Sequence, residues 1–219
     1  MAVAPKKRKK VLPIIFMIDT SGSMKGKKID AVNTAMADIV TDIKALSLRE
    51  MDIDYTVRVL MFSNGKVEWK YGSIVKGVPL ADYNWTNISH EECKGNTPLG
   101  ECVEDLLKVV EDGKWQEYLG KSLAAPFILL ISDGMPNGKV DVKEAVGKVF
   151  ATQVGGKSVC VSIGIDTKDD QVASAILESF GKDKFIQADG GKPQELVELI
   201  KTVTVGTITR ISTGNQSIL

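Results

Sequence analysis

Three cysteines and a single histidine are all the soft metal-ligand chemistry that 219 residues offer. Cys93, Cys102 and Cys160 are odd in number and widely spaced, which argues against a disulfide framework and points to a reduced compartment. With His90 alone, a His/Cys zinc cluster lacks ligands, although His90 lies near Cys93 and Cys102. A Ser/His/Asp hydrolase would likewise have one possible base, and Gly22 to Met24 does not form a G-x-S-x-G elbow. Charge of one sign is also missing: Lys+Arg and Asp+Glu each total 28, so no overall field selects nucleic acid or an anionic membrane. Long apolar runs are absent too, so no membrane span is expected.

The basic stretch Lys6, Lys7, Arg8, Lys9 and Lys10 precedes a short apolar run that ends in Asp19 without a cleavage site, a poor signal peptide. A cytoplasmic location is therefore expected. In such a compartment the sequons at Asn84, Asn87 and Asn215 carry no weight.

Short, almost uninterrupted apolar runs are present at 12–18, 57–62, 127–131 and 159–165, as expected of strands covered on both faces. Helical spacing joins Ile29, Val32, Met36, Ile39, Ile43 and Leu46, and again Leu99, Val103, Leu106, Leu107 and Val110 after Thr97. A third helix is expected from about Val142 to Phe150 behind an Asp141/Glu144 capping box, and a fourth around Ala173, Ile176, Leu177 and Phe180. A long terminal helix with a frayed end is favoured over the β-branched alternative at 202–209. Asn64-Gly65 between two strand-like segments signals a hairpin, and 72–95 reads as a long excursion. These features define the fold class: α/β, a doubly wound, mostly parallel sheet with one antiparallel edge strand and helices on both faces. The domain expected is 11–212, with a basic tail at 1–10 and a short tail at 213–219.

The first strand closes on Asp19-Thr20-Ser21-Gly22-Ser23, a D-x-S-x-S pattern, at the carboxyl edge where open α/β sheets place ligands. Thr97 opens the second helix, and Asp133 follows the strand ending at Ile131. Carboxylates and hydroxyls are hard ligands, so Asp19, Ser21, Ser23, Thr97 and Asp133 would suit Mg²⁺ (or Mn²⁺/Ca²⁺). Two carboxylates balance such an ion and leave a position for an acidic residue of a protein partner.

These three motifs, in this order, resemble the metal-ion-dependent adhesion site of von Willebrand factor A (vWA) domains. The resemblance implies that Ser21, Ser23 and Thr97 supply hydroxyls while Asp19 and Asp133 act largely through water. It also implies the sheet already inferred. Within the family, the segments 19–24, 29–33 and 131–134 and the Thr-rich end resemble the intracellular bacterial TerY-like, tellurite-resistance branch. That likeness implies an adaptor in a stress-response system, with a kinase or phosphatase as a possible type of partner.

Taken singly, the same residues have ordinary roles: Asp19 and Asp133 as turn formers, Thr97-Pro98 as a helix start, Asp166 as the cap of the helix near Gln171. Gly155-Gly156-Lys157-Ser158 resembles a P-loop but lacks its first glycine and precedes a strand; it reads as a turn. The chain is expected not to be an enzyme. The alternatives are a Mg²⁺-dependent phosphoryl-group hydrolase on the same acidic rim, and nucleic-acid binding through the basic tail.

Overall fold

A computed structural model describes residues 10–111 and 123–214. The basic tail, apart from Lys10, and the last residues of the short C-terminal tail lie outside them. Strand β1 (Lys10–Asp19) is the centre of the fold. Its apolar residues alternate between two cores: Leu12, Ile14, Phe16 and Ile18 face one side of the sheet, Ile15 and Met17 the other. A strand with both faces covered cannot show a polar/apolar alternation, which is why the run reads as continuous in the sequence.

β2 (Ile53–Ser63) pairs with one edge of β1 and β5 (Phe127–Ser132) with the other, both parallel. The sheet continues through β6 (Val159–Ile165) to β7 (Lys184–Ala188). On the opposite side β3 (Lys66–Tyr71) runs antiparallel to β2, giving the order β3-β2-β1-β5-β6-β7. The Asn64-Gly65 turn that joins them has positive φ at both residues, 50° and 70°, the twist a two-residue hairpin needs. A short β4 (Val78–Pro79) adds a second antiparallel pairing to β2 within the expected excursion.

Helices α1 (Lys27–Arg49) and α6 (Pro193–Thr213) bury Ile29, Val32, Met36, Ile39, Leu196 and Ile200 against one face. Helices α2 (Leu99–Glu111), α3 (Val142–Ala151) and α5 (Gln171–Phe180) cover the other. The Asp141 carboxylate accepts the Glu144 N–H, as the capping signal foretold. α6 stays helical through its β-branched run and ends at Gly214, φ 75°, because Ile200, Thr204 and Ile208 are buried; tertiary packing overrides local propensity.

Two local expectations are corrected, at the segment 153–157 and at the cap of α5. Residues Gln153–Lys157 form a short helix, α4, instead of a turn, with the Thr152 hydroxyl accepting the Gly155 N–H. β7 has no continuous apolar run, since it is an edge strand with exposed Lys184 and Gln187. The cap of α5 is Asp170, which accepts the N–H groups of Val172 and Ala173, and this frees Asp166 for another role.

Asn33 ties the excursion to α1. Its side chain donates to the Ile88 carbonyl at 2.9 Å and accepts the Ile88 N–H at 2.8 Å, and all of this is buried. Asn33→Ala leaves both backbone groups unpaired, an expected loss of about 2 kcal/mol. Urea unfolding would register it; an unchanged midpoint would show that the excursion is held by its other contacts.

Candidate functional site

β1 leads through α1 to β2 on one side and β5 leads through α3 and α4 to β6 on the other, so the crevice between the carboxyl ends of β1 and β5 is the switch point of the sheet. Asp19 ends β1 there, and Ser132 ends β5 beside it. Asp19 is fully buried; its Oδ2 accepts the Ser132 hydroxyl at 2.6 Å and its Oδ1 the Ser21 N–H at 2.7 Å. Burial pushes the Asp19 carboxyl up to about 6, against the Ser132 and Ser21 hydrogen bonds, and the Asp133 charge pushes the same way.

From Ser21 a chain of hydroxyls crosses to the next loop. Ser21 Oγ and Ser23 Oγ lie 3.1 Å apart, and Ser23 Oγ donates to Asp133 Oδ1 at 2.7 Å. Ser23 stands on the 3₁₀ turn Gly22–Met24 and is exposed, whereas Ser21 and Thr97 are buried. Thr97 reaches the same place from the loop before α2: its Oγ1 and that of Ser23 flank Gly134, each just under 4 Å from where a Cβ would stand. Asp19, Ser21, Ser23, Thr97 and Asp133 are thus brought to one end of the sheet.

The loops themselves are locked. The Thr97 N–H donates to Asn137 Oδ1 at 2.7 Å while the Asn137 N–H returns to the Thr97 carbonyl at 3.1 Å. The Lys139 N–H donates to Glu101. Gly95, φ 68°, sits where a Cβ would come within 2.8 Å of the Asn64 Cα, so the hairpin turn braces the Thr97 loop.

The expected Mg²⁺ (or Mn²⁺/Ca²⁺) does not fit this arrangement. Among the described residues no group of three or more His, Cys, Asp or Glu side chains is placed to hold a metal ion. Moreover, Asp133 already has a cation: Lys28 Nζ lies 2.6 Å from its Oδ2 and 3.0 Å from Asp166 Oδ2. Burial lowers the Lys28 ammonium, but its pairing with Asp133 and Asp166 outweighs this and raises it. Asp166, at φ 58°, also accepts the Gly190 N–H at 2.8 Å; burial raises its carboxyl, and Gly190 and Lys28 together bring it below the usual range. The metal-dependent site inferred from the sequence is corrected accordingly, and with it a partner that would bridge to a metal through an acidic residue. Lys28 was missed, and no local motif could have signalled a pair 105 residues apart.

The remaining candidates have structural places. His90 pairs with Asp30 at 2.9 Å on the surface. All three cysteines are free and buried. Burial pushes the Cys93 thiol up to about 11 and Cys160 up to about 12, and Cys102 well above its ordinary value, so all three behave as small apolar side chains and not as nucleophiles. Their unpaired state comes from core packing and says nothing of the compartment.

No family model matches the chain. Inter-alpha-trypsin inhibitor heavy chain H3 of Mus musculus is 27% identical over 163 residues, 69% of this chain and 16% of that protein. The chain therefore spans only a small part of the curated relatives it matches. Among solved structures, the pilus adhesin SpaC from Lactobacillus rhamnosus GG aligns with a TM-score of 0.62 at 14% identity, covering 93% of this chain and 31% of that one. Proximal thread matrix protein 1 from the mussel byssus, with a zinc-occupied metal-ion-dependent adhesion site, aligns at 0.53 and 14% identity over 92% of this chain and 47% of its own; the zinc is a property of that protein.

The fold is the Rossmann-like fold of vWA domains. The proteins it resembles are named as an inhibitor heavy chain, a pilus adhesin and a byssal matrix protein, none of them as an enzyme, and the non-catalytic expectation agrees with this. Two other expectations are corrected. None of these relatives is named as a tellurite-resistance protein, so the TerY-like assignment falls, together with the stress-response role and the kinase or phosphatase partner drawn from it. The cytoplasmic location falls as well, since pilus, byssus and inhibitor chains are what the chain resembles. Among the described residues no helix is long and apolar enough to cross a membrane.

Proposed function

We propose that the chain is a vWA-like protein-interaction module whose contact surface is the rim around exposed Ser23, which buried Asp19, Ser21 and Thr97 and the shielded Asp133 side chain hold in place from beneath. The observation that carries this reading is the hydroxyl and carboxylate chain that joins two loops at the switch point and rests on a buried, destabilised carboxylate. A carboxylate perturbed by burial at a crevice, as Asp19 is, marks a candidate functional position on physical grounds. Exposed Ser23 is the rim residue a partner meets first, while Ser21 and Thr97 hold the floor. A rigid support suits recognition: the loops are latched by Asn137 and Glu101, so little ordering cost is left for binding.

The test compares proteins retained by the immobilised wild-type chain with those retained by Ser23→Trp, which covers the rim, and by Leu48→Lys at the exposed end of α1. Leu48 is 80% exposed and far along the helix from the site, so its variant controls for nonspecific capture. Proteins lost from Ser23→Trp at least tenfold, yet kept by Leu48→Lys, are the expected result. Equal retention by all three would remove the rim from recognition.

A further inference from the structure

The disagreement between the metal expected from the motif and the geometry of the cluster has a source inside the chain. The Asp133 side chain is wholly shielded from solvent, and a carboxylate in that position is costly unless a cation or donors meet both oxygens. One oxygen takes the Ser23 hydroxyl and the other the Lys28 ammonium.

Lys28 is not a surface lysine that happens to lie near. Gly26, φ 89°, turns the chain into α1 so that the second residue of the helix faces the carboxyl edge of the sheet. There its side chain is only 20% exposed, held between Asp133 on one loop and Asp166 on another. The stem lies against the backbone of a third loop: a Cβ on Gly190 would stand 2.8 Å from Lys28 Cε and 2.6 Å from Asp166 Oδ2. Asp166 is fixed in turn by the Gly190 N–H. The ammonium thus occupies a cradle of two carboxylates and a glycine wall.

We propose that Lys28 is a tethered internal cation, which supplies the positive charge that the Asp133 end of the cluster requires and competes with any external cation for Asp133. Competition follows from charge and place: the ammonium sits 2.6 Å from one Asp133 oxygen and the Ser23 hydroxyl 2.7 Å from the other, so an incoming cation meets a carboxylate whose charge is already paired and is repelled by the ammonium beside it. A tethered group does this at high effective concentration because its position is set by folding. The inference concerns the charge state of the cluster and does not rest on partner binding at the rim.

The experiment titrates the full chain with Mn²⁺ alone and follows the free ion by electron paramagnetic resonance. Wild type, Lys28→Met, Lys28→Arg and the double variant Lys28→Met/Asp133→Asn are compared. Lys28→Met should bind Mn²⁺ at least about tenfold more tightly than wild type, Lys28→Arg should behave as wild type, and the double variant should lose the gain. Affinity in Lys28→Met equal to or weaker than in wild type would overturn the proposal, as would a gain that survives Asp133→Asn. Should Lys28→Met fail to fold, Lys28→Gln removes the charge while keeping a donor for Asp133, and carries the same expectation. Failure of this test leaves retention by the rim untouched, and failure of the retention test leaves this one untouched.

Discussion

Gly100→Val should unfold at a melting temperature about 6–12 °C below wild type, the largest loss expected from any single substitution around the site. Gly100 is buried at the second position of α2, where the loop that follows Asp133 passes directly over the helix. A Cβ there would overlap the Val140 carbonyl and stand 2.8 Å from the Val140 Cβ. The first of these obstacles is backbone, which cannot rotate away as a flexible side chain would. Overpacking of this kind costs about 3 kcal/mol. The same loop carries Asn137 and Lys139, whose bonds to Thr97 and Glu101 latch the rim. Displacing it should therefore weaken partner retention as well as stability. Differential scanning calorimetry checks the first effect; a melting temperature within about 2 °C of wild type would show that the loop yields without cost.

The second large effect has the opposite sign. Asp19→Asn should stabilise the fold at pH 7.5 by on the order of 1–3 kcal/mol, because it removes a carboxylate whose ionised form is disfavoured by burial. The replacement is nearly isosteric. Its carbonyl can still accept the Ser21 N–H, and its amide can donate to Ser132, whose own hydroxyl must then turn to another acceptor. The pH dependence follows from linkage. A folded-state value of about 6 lies above the ordinary aspartate value of 3.8, so the folded chain binds this proton more tightly than the unfolded chain does. Asp19 thus weakens the native state fully above pH 6, and its penalty fades as pH falls toward 4. The advantage of Asp19→Asn should be widest at pH 7.5 and mostly gone at pH 4, in urea unfolding at both values. A gap that stayed the same at the two pH values would mean that Asp19 does not titrate between them. A chain that keeps an unfavourable carboxylate at its switch point, where an amide would be more stable, fits the trade of stability for function that such sites show.

Lys28 and Asp166 belong to a different balance. Asp166 is largely exposed and bound by the Gly190 N–H, so it tolerates change; Asp133 is enclosed and does not. Removing the Lys28 charge strands Asp133, whereas removing Asp166 leaves the ammonium with its nearer partner. The asymmetry makes Lys28→Met the informative variant.

The amino-acid sequence by itself determined the framework. Apolar runs at 12–18, 57–62, 127–131 and 159–165 suited strands covered on both sides, and the residues alternating along β1 do bury against two cores. The helical spacing of Ile29 to Leu46 and the Asn64-Gly65 turn were equally local, and a local physical cause leaves a local record. The D-x-S-x-S segment, Thr97 and Asp133 could be assigned to one end of the sheet, since a strand-to-helix junction in a parallel sheet has only one place to be. The charge of the cluster was not legible in the same way. Whether two carboxylates and three hydroxyls face an open site or the chain's own ammonium depends on which side chains approach from other elements. Lys28, Asp133 and Asp166 stand on three separate connections and meet only after α1, β5 and β6 have packed. Electrostatic pairing acts through space over a few ångströms and takes no account of separation along the chain. Tertiary structure alone therefore decided which cation Asp133 holds, and the motif could not.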